Sequence, residues 1–293
     1  MTAATHYTDP VRDFIAAMAD AGIRPHDITD IIADGRLHRF RVDGDKHGTA
    51  NGWAVLHLDG VPAGIFGSWK AGMSSTWCAR NRADMTPGER AELARRIEQA
   101  RADRDAEQRQ RHADAAARAA DLLARSRPAD PGHPYLTRKR VQPHGARQLG
   151  AQLVLPVTAV DGDLASLQFI ATDGGKLLLA GGRKRGCCIT VADPPNPSRI
   201  LIAEGWATGA SLAEADPAAR VLAGIDAGNL IHVAIAARRR WPSTQIVIAG
   251  DADEVGRRAA HAAAMAVRGL VLIPESEGCD WNDVLKTSKE VAA

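Results

Sequence analysis

The chain has 293 residues, of which 45% are hydrophobic and 25% charged, and its net charge is only +2. That balance suits a soluble globular protein of about two domains and argues against wholesale disorder, a fibrous repeat or a membrane bundle, because no stretch approaches the roughly 20 apolar residues a span requires. Four cysteines, at positions 78, 187, 188 and 279, form no CxxC pair. This disfavours a zinc ribbon and a disulfide scaffold and fits a reducing cytoplasm. The N-terminus shows no basic stretch followed by an apolar run, so no secretory signal is expected.

In chain order, Thr8 or Asp9 can cap a first helix, Pro10 suits its first turn, and Gly22 can end it. Phe14, Ile15 and Met18 give that helix one apolar face. Residues 36–78 read as short strands broken by glycine-rich turns. They hold Phe40, Trp53, Phe66, Trp69 and Trp77. Aromatics on a small sheet can stack nucleic-acid bases, but filling a small core is the expected role. Thr86 and Glu89 then form a capping box with Pro87 at the first helical position. The helical pattern runs to about Leu123. Between Ile97 and Leu122 it carries no large apolar residue, which predicts a solvated connecting arm.

A Pro- and Gly-rich loop follows, and residues 151–191 again read as strands with DGD and DGG turns. The linker DPPNPS, 193–198, precedes a change of pattern. After it, short apolar runs alternate with Ala-rich helical stretches, which predicts βα units and a parallel sheet covered on both faces. Charge shifts across the same boundary. Residues 127–199 carry 10 basic and 5 acidic side chains, and residues 200–293 carry 9 and 12.

In an open parallel sheet, ligands bind beyond the carboxyl ends of the strands. The run RILIA ends in Glu204, and QIVIAG ends in Asp251-Ala252-Asp253. Beyond the last apolar run lie Asp280 and Asp283. Any one of these is most often a turn or helix cap. Together, at successive strand ends, they repel one another unless cations join them, and they suit one or two divalent ions serving phosphoryl chemistry. The ten histidines show no H-x-E or HExxH pattern, and Ser211 lies in no G-x-S-x-G elbow. Cys187-Cys188 reads as a strand pair rather than a redox site.

These segments resemble the Toprim domain of bacterial primases, topoisomerases and certain nucleases. ILIAEGWATGASL looks like its strand-Glu-Gly-helix motif, IVIAGDADEVGRRAA like its D-x-D motif, and CDWNDVL like the third acidic element of plasmid and phage members. The preceding LVLPVTAVDGDLASLQFIATDGGKLLLAGGRKRG is similar to the basic segment ahead of the domain in primases, and residues 35–72 to the N-terminal module of mobile-element primases. With only Tyr7 and Tyr135 available, a topoisomerase is a poor match. Thr208 stands where replicative primases commonly have an Asp.

The resemblance implies an α/β fold in four parts. These are an N-terminal α+β module (1–80), a long connecting helix (81–127), a basic β-rich subdomain (128–197) and a Toprim domain (198–293). It implies a DNA primase that makes RNA primers from ribonucleoside triphosphates on single-stranded DNA, alongside a separate helicase. Glu204, Asp251 and Asp253 would be catalytic. Those three with Asp280 and Asp283 would hold Mg²⁺ or Mn²⁺. Lys176, Arg183, Lys184 and Arg185 would bind template or nucleotide phosphates. A Toprim nuclease and a non-catalytic DNA-binding adaptor are the alternatives.

Overall fold

Asp9 starts the first helix, α1 (Pro10–Asp20), and its carboxylate accepts the Val11 and Arg12 N–H groups at 3.1 Å each. A computed structural model describes residues 9–291. Tyr7 and Thr8 lie outside them. Gly22, at φ +77°, turns the chain out of the helix as the sequence predicts.

Two units, Met1–Arg109 and Gln110–Ala293, each enclose their own cores. In the first, four strands pair antiparallel in sequential order: β1 (His38–Phe40), β2 (Gly52–His57), β3 (Ala63–Ser68) and β4 (Met73–Cys78). Successive side chains of a strand face opposite ways. Ala54, Leu56 and Phe66 therefore join Phe14 and Met18 of α1 on one side, while Trp53, Val55 and Ile65 take the other. Phe40, Trp53 and Phe66 are fully buried. They fill the core rather than form an exposed stacking platform.

The next helix, α2 (Pro87–Ala124), begins with the predicted capping box. Glu89 N–H donates to Thr86 Oγ1 at 3.2 Å, and Thr86 N–H donates back to Glu89 Oε2 at 2.7 Å. It is the solvated arm expected only in part: residues 101–114 are exposed or half-buried, but alanines on either side of them are buried. Ala100 is buried against Trp53, Val55 and Ile65 of the first unit. In the second unit Ala115 is fully buried, and Ala119 packs on Val154 and Leu167. Alanine lets a helix backbone approach a sheet closely, so a search for large apolar residues misses this stripe.

The second unit opens with β5 (Arg127–Pro128), α3 (Pro134–Lys139), β6 (Arg147–Leu149), β7 (Gln152–Ala159), β8 (Leu164–Ile170), β9 (Lys176–Leu178) and β10 (Cys187–Ala192). The βα region follows as β11 (Ile200–Ala203), α4 (Trp206–Ala215), β12 (Arg220–Ala223), α5 (Ala227–Arg240), β13 (Ile246–Ala249), α6 (Glu254–Val267), β14 (Leu270–Leu272) and α7 (Trp281–Val291). All these strands form one ten-stranded sheet. Its main path runs β14-β13-β11-β12-β10-β7-β6-β5, with β8 and β9 attached through β7. Strands β11 to β14 are mutually parallel, and β10 joins β12 and β7 antiparallel.

β11 lies between β12 and β13 with Ala203 in register with both Ala223 and Ala249. The chain therefore leaves β11 to one side and later returns on the other, and right-handed crossovers then place the helices on opposite faces. Leu201, Val221 and Val247 pack with α4 and α7. Ile200, Ile202, Leu222, Ile246 and Ile248 pack with α5 and α6. Continuous apolar strands covered on both faces follow, and the α/β class holds. Among the described residues no helix is long and apolar enough to cross a membrane.

Candidate metal centre at the strand-end crevice

The reversal of strand order at β11 opens a crevice beyond its carboxyl end. Glu204 follows β11 directly, and Asp251 follows β13 after Gly250. Gly250 has no room for a side chain, since a Cβ there would lie 2.6 Å from that of Ala260. Gly256 in α6 is equally constrained, because its Cβ would meet Asp251 O at 2.7 Å. Both glycines of this motif thus let α6 close onto the acidic loop.

Two backbone bonds bring in the third acidic element. Ala252 N–H donates to Cys279 O, and Gly278 N–H donates to Ala252 O, each at 2.9 Å. Asp280 is thereby held beside Asp251. Asn282 is completely buried, and its Nδ2 donates to Lys139 O and Ser211 Oγ, each at 2.8 Å. It pins α7 to α3 and α4. Asp253 caps α6 by accepting Gly256 N–H at 2.6 Å. Asp280 Oδ1 accepts Asp283 N–H at 2.8 Å, and its Oδ2 lies 3.7 Å from Lys139 Nζ.

The electrostatics single out Asp251. Burial, then the nearby charges of Glu204, Asp280 and Asp253, push its carboxyl up to about 7, with Lys176 opposing. Its Oδ1 is buried and has no hydrogen-bond partner. Glu204 is also raised, by burial first and the Asp253 charge second. The Ala227 N–H at the start of α5 and the Lys176 charge pull it back. Lys176 Nζ comes within 3.7 Å of the point where a Gly205 Cβ would sit.

Glu204, Asp251, Asp253 and Asp280 are therefore gathered, with Lys176 reaching in among them. Asp283 is not among the carboxylates that raise Asp251, and instead lies 4.0 Å from Lys286. Thr208 is buried within α4. Lys184 pairs with Asp226 at 2.6 Å, itself a charge felt by Glu204. Arg183 and Arg185 line a separate cavity beside α5. Sequence reading missed Asn282 as a structural tie and Asp226 as a rim charge. A buried Asn inside an acidic motif was the one available signal for the first.

Among the described residues no group of three or more His, Cys, Asp or Glu side chains is placed so that together they could hold a metal ion. The donor set nevertheless fits a hard divalent ion. Such an ion takes one or two carboxylates and keeps several waters, and an orphaned carboxylate oxygen among like charges is what it would satisfy.

Residues 199–290 match the Toprim domain family, and the C-terminal region is a Toprim domain. Beyond that domain, the chain is 35% identical over 259 residues to a DNA primase TraC of Escherichia coli, covering 83% of this chain and 24% of the relative. A second DNA primase TraC of Escherichia coli is 33% identical over 284 residues, covering 90% of this chain and 19% of the relative. The chain thus spans about a quarter or less of the length of these relatives. Among solved structures, the primase fragment of the bacteriophage T7 primase-helicase protein is similar with 18% identity and a TM-score of 0.44, over 54% of this chain and 72% of that one.

Proposed function

We propose that the chain is the nucleotidyl-transfer unit of a Toprim DNA primase, joining ribonucleotides into short primers on a single-stranded DNA template. The observation that carries this reading is the crevice itself, where three carboxylates, Glu204, Asp253 and Asp280, surround Asp251, whose buried oxygen lacks a partner. The similarity to DNA primases named TraC supports it over most of the chain.

Asp251, Asp253 and Asp280 would hold Mg²⁺ or Mn²⁺, with Glu204 as a fourth ligand or as an acid/base group. A divalent ion there supplies activation of a 3′-hydroxyl and neutralisation of a leaving pyrophosphate. The chain's own residues do the rest. Glu204, raised above the ordinary carboxylate range, is suited to accept and return a proton. Lys176 keeps Asp251 and Glu204 more ionised than burial alone would allow, and presents an ammonium to an incoming triphosphate. Lys184 provides a phosphate contact at the rim, and Arg183 and Arg185 provide such contacts in the cavity beside α5. The primase reading extends to a cytoplasmic setting on a plasmid, phage or other mobile element, with a helicase supplied separately.

The test is primer synthesis on single-stranded DNA with ribonucleoside triphosphates and Mg²⁺ or Mn²⁺. Labelled products are expected from the wild type and none from Asp251→Asn. Absence of product across varied templates rejects the reading, and triphosphate-independent cleavage of DNA would replace it with a nuclease.

A further inference from the structure

Beside the acidic crevice lies a second, oppositely charged feature. Arg183 and Arg185 from the β9–β10 turn, His232 and Arg239 from α5, and Asp161 from the β7–β8 turn line one open cavity. Three guanidiniums and an imidazole face a single carboxylate. Among the described residues no ion pair engages Arg183, Arg185 or Arg239.

The sequence RKR is divided by the geometry. Lys184 turns to the rim and pairs with Asp226, while its two neighbours line the cavity. The RRR run ending α5 is divided as well. Arg238 donates to the carbonyls of Val267, Pro242 and Thr244, and Arg240 lies over the Trp241 ring. Arg239 and Arg240 are both exposed, and of the three it is Arg239 that lines the cavity. A basic residue in a last helical turn often serves only the helix dipole. That role does not explain why two arginines from another element converge on the same space.

The walls are fixed to each other. Buried Asn229 of α5 accepts the Gly186 N–H at 2.9 Å and donates to the Cys187 and Gly224 carbonyls, also at 2.9 Å. His232 and Arg239 are seven residues apart on one helix face, so their backbones are about 10.5 Å apart along the axis. That is longer than one triphosphate extends, and suits successive phosphates of a strand.

We propose that this groove holds the phosphodiester backbone of a single nucleic-acid strand running along α5 away from the acidic crevice. This rests on the primase reading for its source of the strand, and adds His232 and Arg239 to the phosphate contacts.

The experiment measures binding of fluorescein-labelled oligothymidylate by anisotropy at several salt concentrations, with primer synthesis in parallel, for the full chain and for Arg239→Glu and Arg239→Lys. Charge reversal at this exposed site is expected to weaken strand binding about tenfold and to flatten the slope of log affinity against log salt by about 0.7 per lost contact. Arg239→Lys should retain most of the affinity, and the KM for ribonucleotides should not move. Wild-type affinity and slope in Arg239→Glu, in a protein that makes primers, overturn the groove alone. A raised ribonucleotide KM with strand binding intact overturns the strand in favour of a triphosphate. If no primers form while binding still depends on Arg239, the groove stands and the primase reading falls. If the wild type binds no strand, the groove falls.

Discussion

Asn282 Nδ2 and Ser211 Oγ meet at 2.8 Å in a fully buried contact between α7 and α4. The same nitrogen donates to the Lys139 carbonyl. Asn282→Ala would strand two acceptors away from water, at about 1–3 kcal/mol for each buried group left unpaired. The expected outcome is a protein less stable by about 2–4 kcal/mol in urea denaturation. Asp280, two residues before, should lose its place, so primer synthesis should fall beyond what the folded fraction explains.

Asp251 sets a pH dependence of stability. Its folded pKa is raised to about 7 from an ordinary 3.8. Between those values the folded state holds the proton and the unfolded state has lost it, so stability falls as pH rises through that window. Glu204 is shifted in the same direction. With EDTA present, Asp251→Asn should therefore melt higher than the wild type at pH 8, and close to it near pH 4. Mg²⁺ should raise the melting temperature of the wild type more than that of the variant. An unchanged loss of stability with pH in Asp251→Asn would contradict this account.

Lys176 opposes the rise of both Asp251 and Glu204. Removing its charge by Lys176→Met raises both carboxyls further. The acidic limb of the pH–rate profile for primer synthesis should move to higher pH, with the larger loss of activity at pH 7 and partial recovery at pH 8.5. A uniform loss at every pH would leave Lys176 with phosphate binding only.

Gly256→Ala tests how closely α6 must approach. The added methyl would meet Asp251 O at 2.7 Å and Asp251 N and Cβ at 3.1 Å, which are atoms that cannot swing aside. Displacing a catalytic group by about 1 Å can cost about 100-fold, and a loss of that order in primer synthesis is expected. Gly228→Ala is the control. Its nearest neighbour is Asp226 Oδ1 at 3.6 Å, and activity should be nearly unchanged.

The βα pattern, the capping box at Thr86 and Glu89, and the acidic strand ends could be read from the sequence because each is local. An apolar run of four residues, a Thr followed by Glu, or an Asp after a strand announces itself within one turn of chain. The antiparallel join of β10 to β12 could not be read, since it pairs Ile189 with Ala223, 34 residues apart, and nothing near either residue specifies its partner. The buried alanine stripe of α2 was hidden for another reason. Ala115 and Ala119 look like helix-propensity residues until a sheet is found against them. Within the acidic motif, sequence grouped Asp280 with Asp283, whereas helical geometry turns Asp283 toward Lys286.

The hydrogen-bonded path from β13 through β11, β12 and β10 to β7 has a mechanical consequence. The acidic crevice and the hairpins bearing Lys176 and Arg183 are stitched into one plate, and separating them means breaking main-chain bonds between Ile189 and Ala223. On the proposed reading, strand and nucleotide would dock on a surface already assembled, and the amides of β10, β12 and β11 should exchange with deuterium as a single cooperative block.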